Sequence, residues 1–239
     1  MSRAPIVLVH GAWGGAWIWR RVLGPLRNAG HEVHAVTLTG DGERAHLRHA
    51  GLDLHSHIDD VCALVRAEEL HDVVLVGHSY GGMVITGAAD RLLAAGVGLH
   101  HLVYVDAMVP LPGEGWGDAQ SEELAVARRA AAQANGNALP PPDPAVFGLQ
   151  GPDRDWLLRQ QVLHPFGAYR QPLAFDGERL ARLPRTFIDC TEPAYPTIAA
   201  MRERVRRLPG FRVVDMKTGH CPMVSAPLEL VGHLLAAAG

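Results

Sequence analysis

Gly77-His78-Ser79-Tyr80-Gly81 places a serine two residues from a glycine on either side, directly after the apolar run Val73-Val74-Leu75-Val76 and before a helical stretch. At a sharp strand-to-helix turn, glycines remove the side chains that would collide and leave the serine hydroxyl exposed, so Ser79 is the candidate nucleophile. A serine hydroxyl attacks only when a base takes its proton, and the tetrahedral intermediate needs donors aimed at its oxyanion. His220, in Thr218-Gly219-His220 after the last apolar run, is the candidate base. The candidate donors are the backbone N–H of Tyr80, next in sequence to Ser79, and that of Ala12 in the run His10-Gly11-Ala12-Trp13-Gly14-Gly15. This run lacks the Gly-Lys-Ser/Thr of a phosphate loop, and its spacing is not GxGxxG, so it is not read as a nucleotide cradle.

The base needs a carboxylate to accept its second N–H and to stabilise the imidazolium formed during attack. Asp106, Glu192 and Asp189 are the candidates. Asp189 falls inside an expected strand, where its side chain is poorly placed. Asp106 ends the run Leu102-Val103-Tyr104-Val105 and faces the edge where sites form in parallel sheets, so it is preferred, with Glu192 as the alternative.

The elements that must hold these residues are legible as apolar runs. Ile6–Val9, Val73–Val76, Leu102–Val105, Thr186–Ile188 and Arg212–Val214 read as strands of a sheet covered on both faces, and Glu32–Val36 as a weaker one. Ile58, Val61, Cys62 and Val65 recur with helical spacing, the stretch after Gly82 continues helically to about Ala95, and Ser225-Ala226-Pro227 offers an N-cap and first-turn proline for a last helix through Leu235. Alternating strands and helices imply a mostly parallel sheet flanked by helices. The segment from 111 to 183 is too long for an ordinary connection and carries its own expected helices, Glu122–Gln133 and Asp153–Val162. It is read as an inserted helical cap on a core formed by residues 1–110 and 184–239. Its Trp116, Phe147, Trp156, Leu157, Phe166, Tyr169 and Phe175 are candidates for an apolar substrate pocket.

Composition narrows the function classes. With 239 residues, 48% hydrophobic and a net charge of −3, the chain has the make-up of one globular core and no basic field for nucleic acid or a membrane surface. The start, Met1-Ser2-Arg3-Ala4-Pro5, carries no long apolar or signal-like segment, which gives the expectation of a cytoplasmic protein, monomeric or homodimeric. Cys62, Cys190 and Cys221 are far apart and read as buried thiols. His46, His49, His55 and His57 lack zinc-site spacing, so neither metal nor organic cofactor is expected.

Several stretches together carry a family resemblance. His10-Gly11-Ala12-Trp13 with Trp17 and Trp19, Leu38-Thr39-Gly40 with Gly42-Glu43-Arg44-Ala45-His46-Leu47, and Gly77 to Val84 resemble the α/β-hydrolase branch of bacterial esterases related to plant methyl-ester esterases and hydroxynitrile lyases. Leu102 to Ala107, His164-Pro165-Phe166, Tyr169 to Leu173 and Thr218 to Met223 extend it over most of the chain. The resemblance implies an α/β-hydrolase fold and places Ser79, His220, Ala12 and Tyr80 at the nucleophile, base and oxyanion positions. Two departures stand out. The plant lyases carry threonine at the position of Gly11 and lysine at that of Cys221, which removes the main supports of cyanohydrin cleavage. Many relatives place the acid shortly after the strand containing Thr186–Ile188, where this chain aligns Pro193 beside Glu192. The expected activity is cofactor-free hydrolysis of a small, largely apolar carboxylic ester, lactone or thioester. A lyase, cyclase or dehydratase on the same triad is the alternative, and a non-catalytic ligand-binding homologue a more remote one.

Overall fold

The computed structural model describes residues 3–239. Its framework is a sheet of six parallel strands: β1 (Ile6–Val9), β2 (Val33–Val36), β3 (Val73–His78), β4 (Leu99–Val105), β7 (Arg185–Cys190) and β8 (Phe211–Met216). Two short strands, β5 (Ala138–Leu139) and β6 (His164–Pro165), pair antiparallel outside it. Every residue of β1 and β3 is buried, as their unbroken apolar sequence requires of strands covered on both faces. The sheet order is β2-β1-β3-β4-β7-β8. The chain therefore winds outward from β1 to β2, then crosses back to β3 on the other side of β1. That reversal makes the carboxyl ends of β1 and β3 a topological switch point, where a crevice opens. Register brings Val9 opposite Gly77, His78 opposite Val105 and Val105 opposite Ile188. The loops after β1, β3, β4 and β7 consequently leave one edge side by side.

The covering helices follow the apolar spacing. They include α1 (Arg20–Asn28), α2 (Leu54–Ala67) and α3 (Gly81–Ala94), with α2 started by an Asp53–Ser56 capping box. Between β4 and β7 lie α4 (Glu122–Ala134), α5 (Gly151–Gln160), α6 (Phe166–Arg170) and α7 (Gly177–Ala181). This segment is tied to the carboxyl edge of the sheet: Val162 N–H donates to Trp13 O, Trp13 Nε1 to Leu139 O, and His220 N–H to Phe147 O. The chain ends with α8 (Ala199–Arg207), α9 (Pro222–Ser225) and α10 (Pro227–Ala238). Ser225 does not cap the last helix as expected. It closes α9 instead, its Oγ 2.6 Å from Thr218 Oγ1 and donating to Cys221 O, and Ala226 occupies the cap position.

The three cysteines are free and buried. No helix of the described residues is long and apolar enough to cross a membrane.

Candidate active site

Ser79 occupies the turn between β3 and α3 at φ +52, a conformation that costs a residue with a Cβ about 1–3 kcal/mol. Its surroundings leave no other path. A Cβ on Gly77 would come within 2.5 Å of Gly81 O, and one on Gly81 within 2.8 Å of Val9 O and His10 O. Gly82 is under the tightest constraint, because a Cβ there would lie 2.0 Å from Met108 O. Ser79 N–H donates to Val105 O, while Ser79 O accepts from Gly82 N–H and Met108 N–H, so the turn is pinned to the end of β4.

Ala12 lies in the loop after β1, across the switch point from Ser79. His10 Nδ1–H donates to Gly11 O at 2.6 Å and its Nε2 accepts from Leu38 N–H at 3.0 Å, which fixes one neutral tautomer. Burial pushes its pKa down, in keeping with that neutral form. The Gly11 carbonyl and the Ala12 N–H belong to one planar trans peptide, so clamping the oxygen aims the N–H the opposite way. Neither the Ala12 nor the Tyr80 N–H has a partner among the hydrogen bonds of the described residues. Gly11 itself packs on the elbow, and a Cβ there would meet Ser79 Cβ at 2.9 Å.

His220 lies beyond β8 with its ring 2% exposed. Its Nε2 is 3.0 Å from Ser79 Oγ and its Nδ1 is 2.7 Å from Asp106 Oδ2. A carboxylate only accepts, so Nδ1 carries the proton and Nε2 presents its lone pair to the serine hydroxyl. The backbone of His220 is held on both sides, its N–H donating to Phe147 O and its carbonyl accepting from His78 Nε2–H at 2.8 Å. Burial holds the His78 imidazole well below its ordinary pKa, so it stays neutral beside His220. Tyr195 lies against the His220 ring at 4.3 Å between centroids, and Phe147 at 5.3 Å.

Asp106 follows β4 at φ +42 and is wholly buried. Besides the imidazole, its carboxylate accepts from Arg202 Nη2 at 2.8 Å and from Cys190 N–H at 3.4 Å. Glu192 is exposed, and its backbone N–H donates to Thr218 O. Asp189 is buried in β7 and bonded to Arg202 and Arg206. Of the three candidate acids, only Asp106 reaches His220.

A cavity of about 20 Å³ adjoins Ser79 and His220, with Trp13, Trp17, Ile18, Phe147, Leu157 and Gln161 among its walls. Only Phe147 and Leu157 of the expected cap residues line it. Trp156 packs edge-on against Trp17, Trp116 against Trp13 and Tyr80, and Phe166 stacks on Tyr169. Phe175 lines a separate cavity with Tyr104 and Phe211. Trp17 Nε1 and Gln161 Oε1 are buried without a hydrogen-bond partner among the described residues. Arg202, Tyr195 and Gln161 are site neighbours that sequence reading missed. The one available signal was Arg202 and Arg206 spaced by four, next to the apolar Met201 and Val205.

Behind the elbow is a second buried polar group. His57 Nε2–H donates to Thr39 O and its Nδ1 is 2.9 Å from Tyr80 Oη, so His57 is a core residue rather than one of a polar scatter. Asp41 and His164, both fully buried, lie 2.8 Å apart. Burial raises the Asp41 carboxyl to about 7 and lowers the His164 imidazole to about 3. Between about pH 3 and pH 7 both groups are therefore neutral and the pair carries no net charge.

The chain matches the alpha/beta hydrolase family over residues 6–233. A carbendazim hydrolyzing esterase of Nocardioides sp. (strain SG-4G) is 38% identical over 245 residues, covering 98% of this chain and 99% of the relative. Polyneuridine aldehyde esterase of Rauvolfia serpentina is 27% identical, covering 96% of this chain and 93% of the relative. Among solved structures, an extracellular alpha/beta-hydrolase from a Paenibacillus species, described as sharing structural and functional homology with tobacco salicylic acid binding protein 2, matches with a TM-score of 0.86. That match covers 98% of this chain and 99% of the other at 22% identity, a likeness of fold. The sheet order, the strand–turn–helix at Ser79 and the match along nearly the whole chain together mean that this protein belongs to the α/β-hydrolase family and is a hydrolase.

Proposed function

We propose that the protein is a serine esterase acting on small, largely apolar carboxylic esters, lactones or thioesters. The reading is carried by the unbroken relay from Asp106 through His220 to Ser79, at 2.7 and 3.0 Å. Ser79 Oγ attacks the carbonyl carbon while its proton passes to His220 Nε2, and the oxyanion is received by the Ala12 and Tyr80 N–H groups. His220 then protonates the leaving alcohol or thiol, an acyl group remains on Ser79, and water activated by the same imidazole releases the acid. Asp106 keeps its charge throughout and stabilises the imidazolium. The apolar walls Trp13, Trp17, Ile18, Phe147 and Leu157 favour a compact apolar acyl or alcohol group. The segment between β4 and β7 acts as a cap, since it supplies Phe147 and Leu157 to those walls. The names of relatives such as the carbendazim hydrolyzing esterase support ester chemistry.

The test is a fluorophosphonate probe followed by peptide mass spectrometry, alongside an ester, thioester and lactone panel. Covalent labelling of Ser79 that removes ester turnover is the expected result. Turnover that survives full labelling, or labelling elsewhere, overturns it. Labelling of Ser79 with no turnover of any acyl substrate would favour a lyase or cyclase that keeps the triad for proton transfer.

A further inference from the structure

We propose that Arg202 is the positioning residue of the acid–base pair, holding the Asp106 carboxylate ionised and aimed while anchoring the tyrosine that packs on His220. The inference rests on the triad reading above. Arg202, on α8, uses its whole guanidinium. Nη2 donates to Asp106 Oδ1 at 2.8 Å and to Cys190 O at 3.1 Å, Nη1 to Tyr195 O at 2.8 Å, and Nε to Asp189 Oδ1 at 2.5 Å. The planar fork thus links the oxygen of Asp106 that His220 does not use to the backbone of Tyr195, whose ring lies on the imidazole. With Oδ1 held by Arg202, Oδ2 points at His220 Nδ1.

The charges around the pair are accountable. Ser79, His78 and Tyr195 face His220, and Cys190, Cys221 and Arg202 surround Asp106. Burial pushes both thiols up and His78 down, so these three are neutral near pH 7. The charged groups are then two acids, Asp106 and Asp189, against two arginines, Arg202 and Arg206, with Arg206 also reaching Asp215 at the surface. A buried carboxylate without such a counter-charge takes up a proton, and a protonated Asp106 cannot stabilise the imidazolium. Removing the Arg202 charge therefore raises the proton affinity of the Asp106–His220 pair, and removing its fork misaligns the pair.

These two effects separate in two variants, read with p-nitrophenyl acetate from pH 5 to 9. Arg202→Gln should lower kcat about a hundredfold with little change in KM, and move the acid limb of kcat/KM up by about one pH unit. Arg202→Lys keeps the charge but cannot span the four acceptors, so kcat should fall about tenfold with the limb in place. Asp189→Asn, which removes a negative charge bonded to the same guanidinium, should lower the melting temperature and move the limb down rather than up. A folded Arg202→Gln with wild-type kcat and an unmoved limb overturns the proposal. If that variant does not fold, wild-type kcat in Arg202→Lys overturns it instead. Ser79→Ala is measured in parallel: substantial turnover there means that the triad reading, not the role of Arg202, has failed.

Discussion

Ser79 and Asp106 both sit at positive φ, each at the carboxyl end of a core strand and each fixed by hydrogen bonds from the neighbouring strand or its loop. Strain of this kind persists only where the surrounding structure enforces it, and here it puts the serine hydroxyl and the carboxylate on opposite sides of one imidazole. Ser79→Ala should leave the fold intact and lower kcat for small esters by roughly a million-fold, and adding His220→Ala should cost little more, because triad members act as a unit. Additive losses in that double variant would mean that the two residues work separately. Asp106→Asn should lower kcat by up to about ten-thousand-fold, whereas Glu192→Gln, altering an exposed side chain, should have little effect. Steady-state kinetics on the two variants settles the choice of acid, and reversed sensitivities would exclude Asp106. The spacing around Ser79 and the position of His220 after the last strand were readable because each depends on local chain geometry. Asp106 could only be ranked above Glu192, since the choice depends on which strand end faces the imidazole. Arg202 was hidden, because Arg202-Glu203-Arg204 resembles any solvated helix face until packing turns one arginine inward.

The elements impose the site through close backbone contacts. Gly82, the first full turn of α3, presses on the carbonyl of Met108 in the loop that carries Asp106. Gly82→Ala should therefore destabilise the protein by about 3 kcal/mol in chemical denaturation, with a lower kcat in the folded fraction. A neutral effect would mean that the β4–α3 contact is looser than described. The expected strands fell on the observed ones because runs such as Val73–Val76 need burial on both faces, and the expected helix at α2 on the observed one because Ile58, Val61, Cys62 and Val65 recur with helical spacing and are buried. What the sequence could not reveal was which apolar side chains of the inserted segment line the cavity beside Ser79. Phe147 and Leu157 do so because the Phe147 carbonyl is bonded to the His220 N–H and α5 packs beside Trp17; the others meet the core elsewhere. The cavity beside Ser79 is narrow, about 20 Å³, so on the proposed reading its walls limit the size of the acyl group. Leu157→Ala should raise kcat/KM for p-nitrophenyl hexanoate relative to the acetate by about tenfold. An unchanged ratio would place the acyl group against another wall.

At the scale of the whole molecule, stability must tolerate many buried titratable groups, and the Asp41–His164 pair shows how. A carboxyl raised from 3.8 to about 7 binds its proton more tightly in the folded state. Its contribution is complete below about pH 4 and is lost as pH rises towards 7. The imidazole lowered from 6.5 to about 3 does the reverse, its contribution being complete above about pH 6.5 and lost as pH falls. The slopes oppose one another across the same window. Relative to wild type, Asp41→Asn should gain stability as pH rises from 4 to 7, and His164→Gln should gain as pH falls below 6.5, both measured by urea unfolding. Parallel curves for all three proteins would mean that the two groups are not held neutral in the folded state. On the proposed reading, the sheet, the inserted segment and these neutralised interior charges together hold Ser79 ready to be acylated. The most direct measurement of that claim is a mass spectrum of the enzyme acid-quenched during turnover of p-nitrophenyl acetate. One acetyl group per chain is expected on the peptide containing Ser79, absent in Ser79→Ala; rapid turnover with Ser79 unmodified and the acetyl group on another residue would exclude an acyl-enzyme at Ser79.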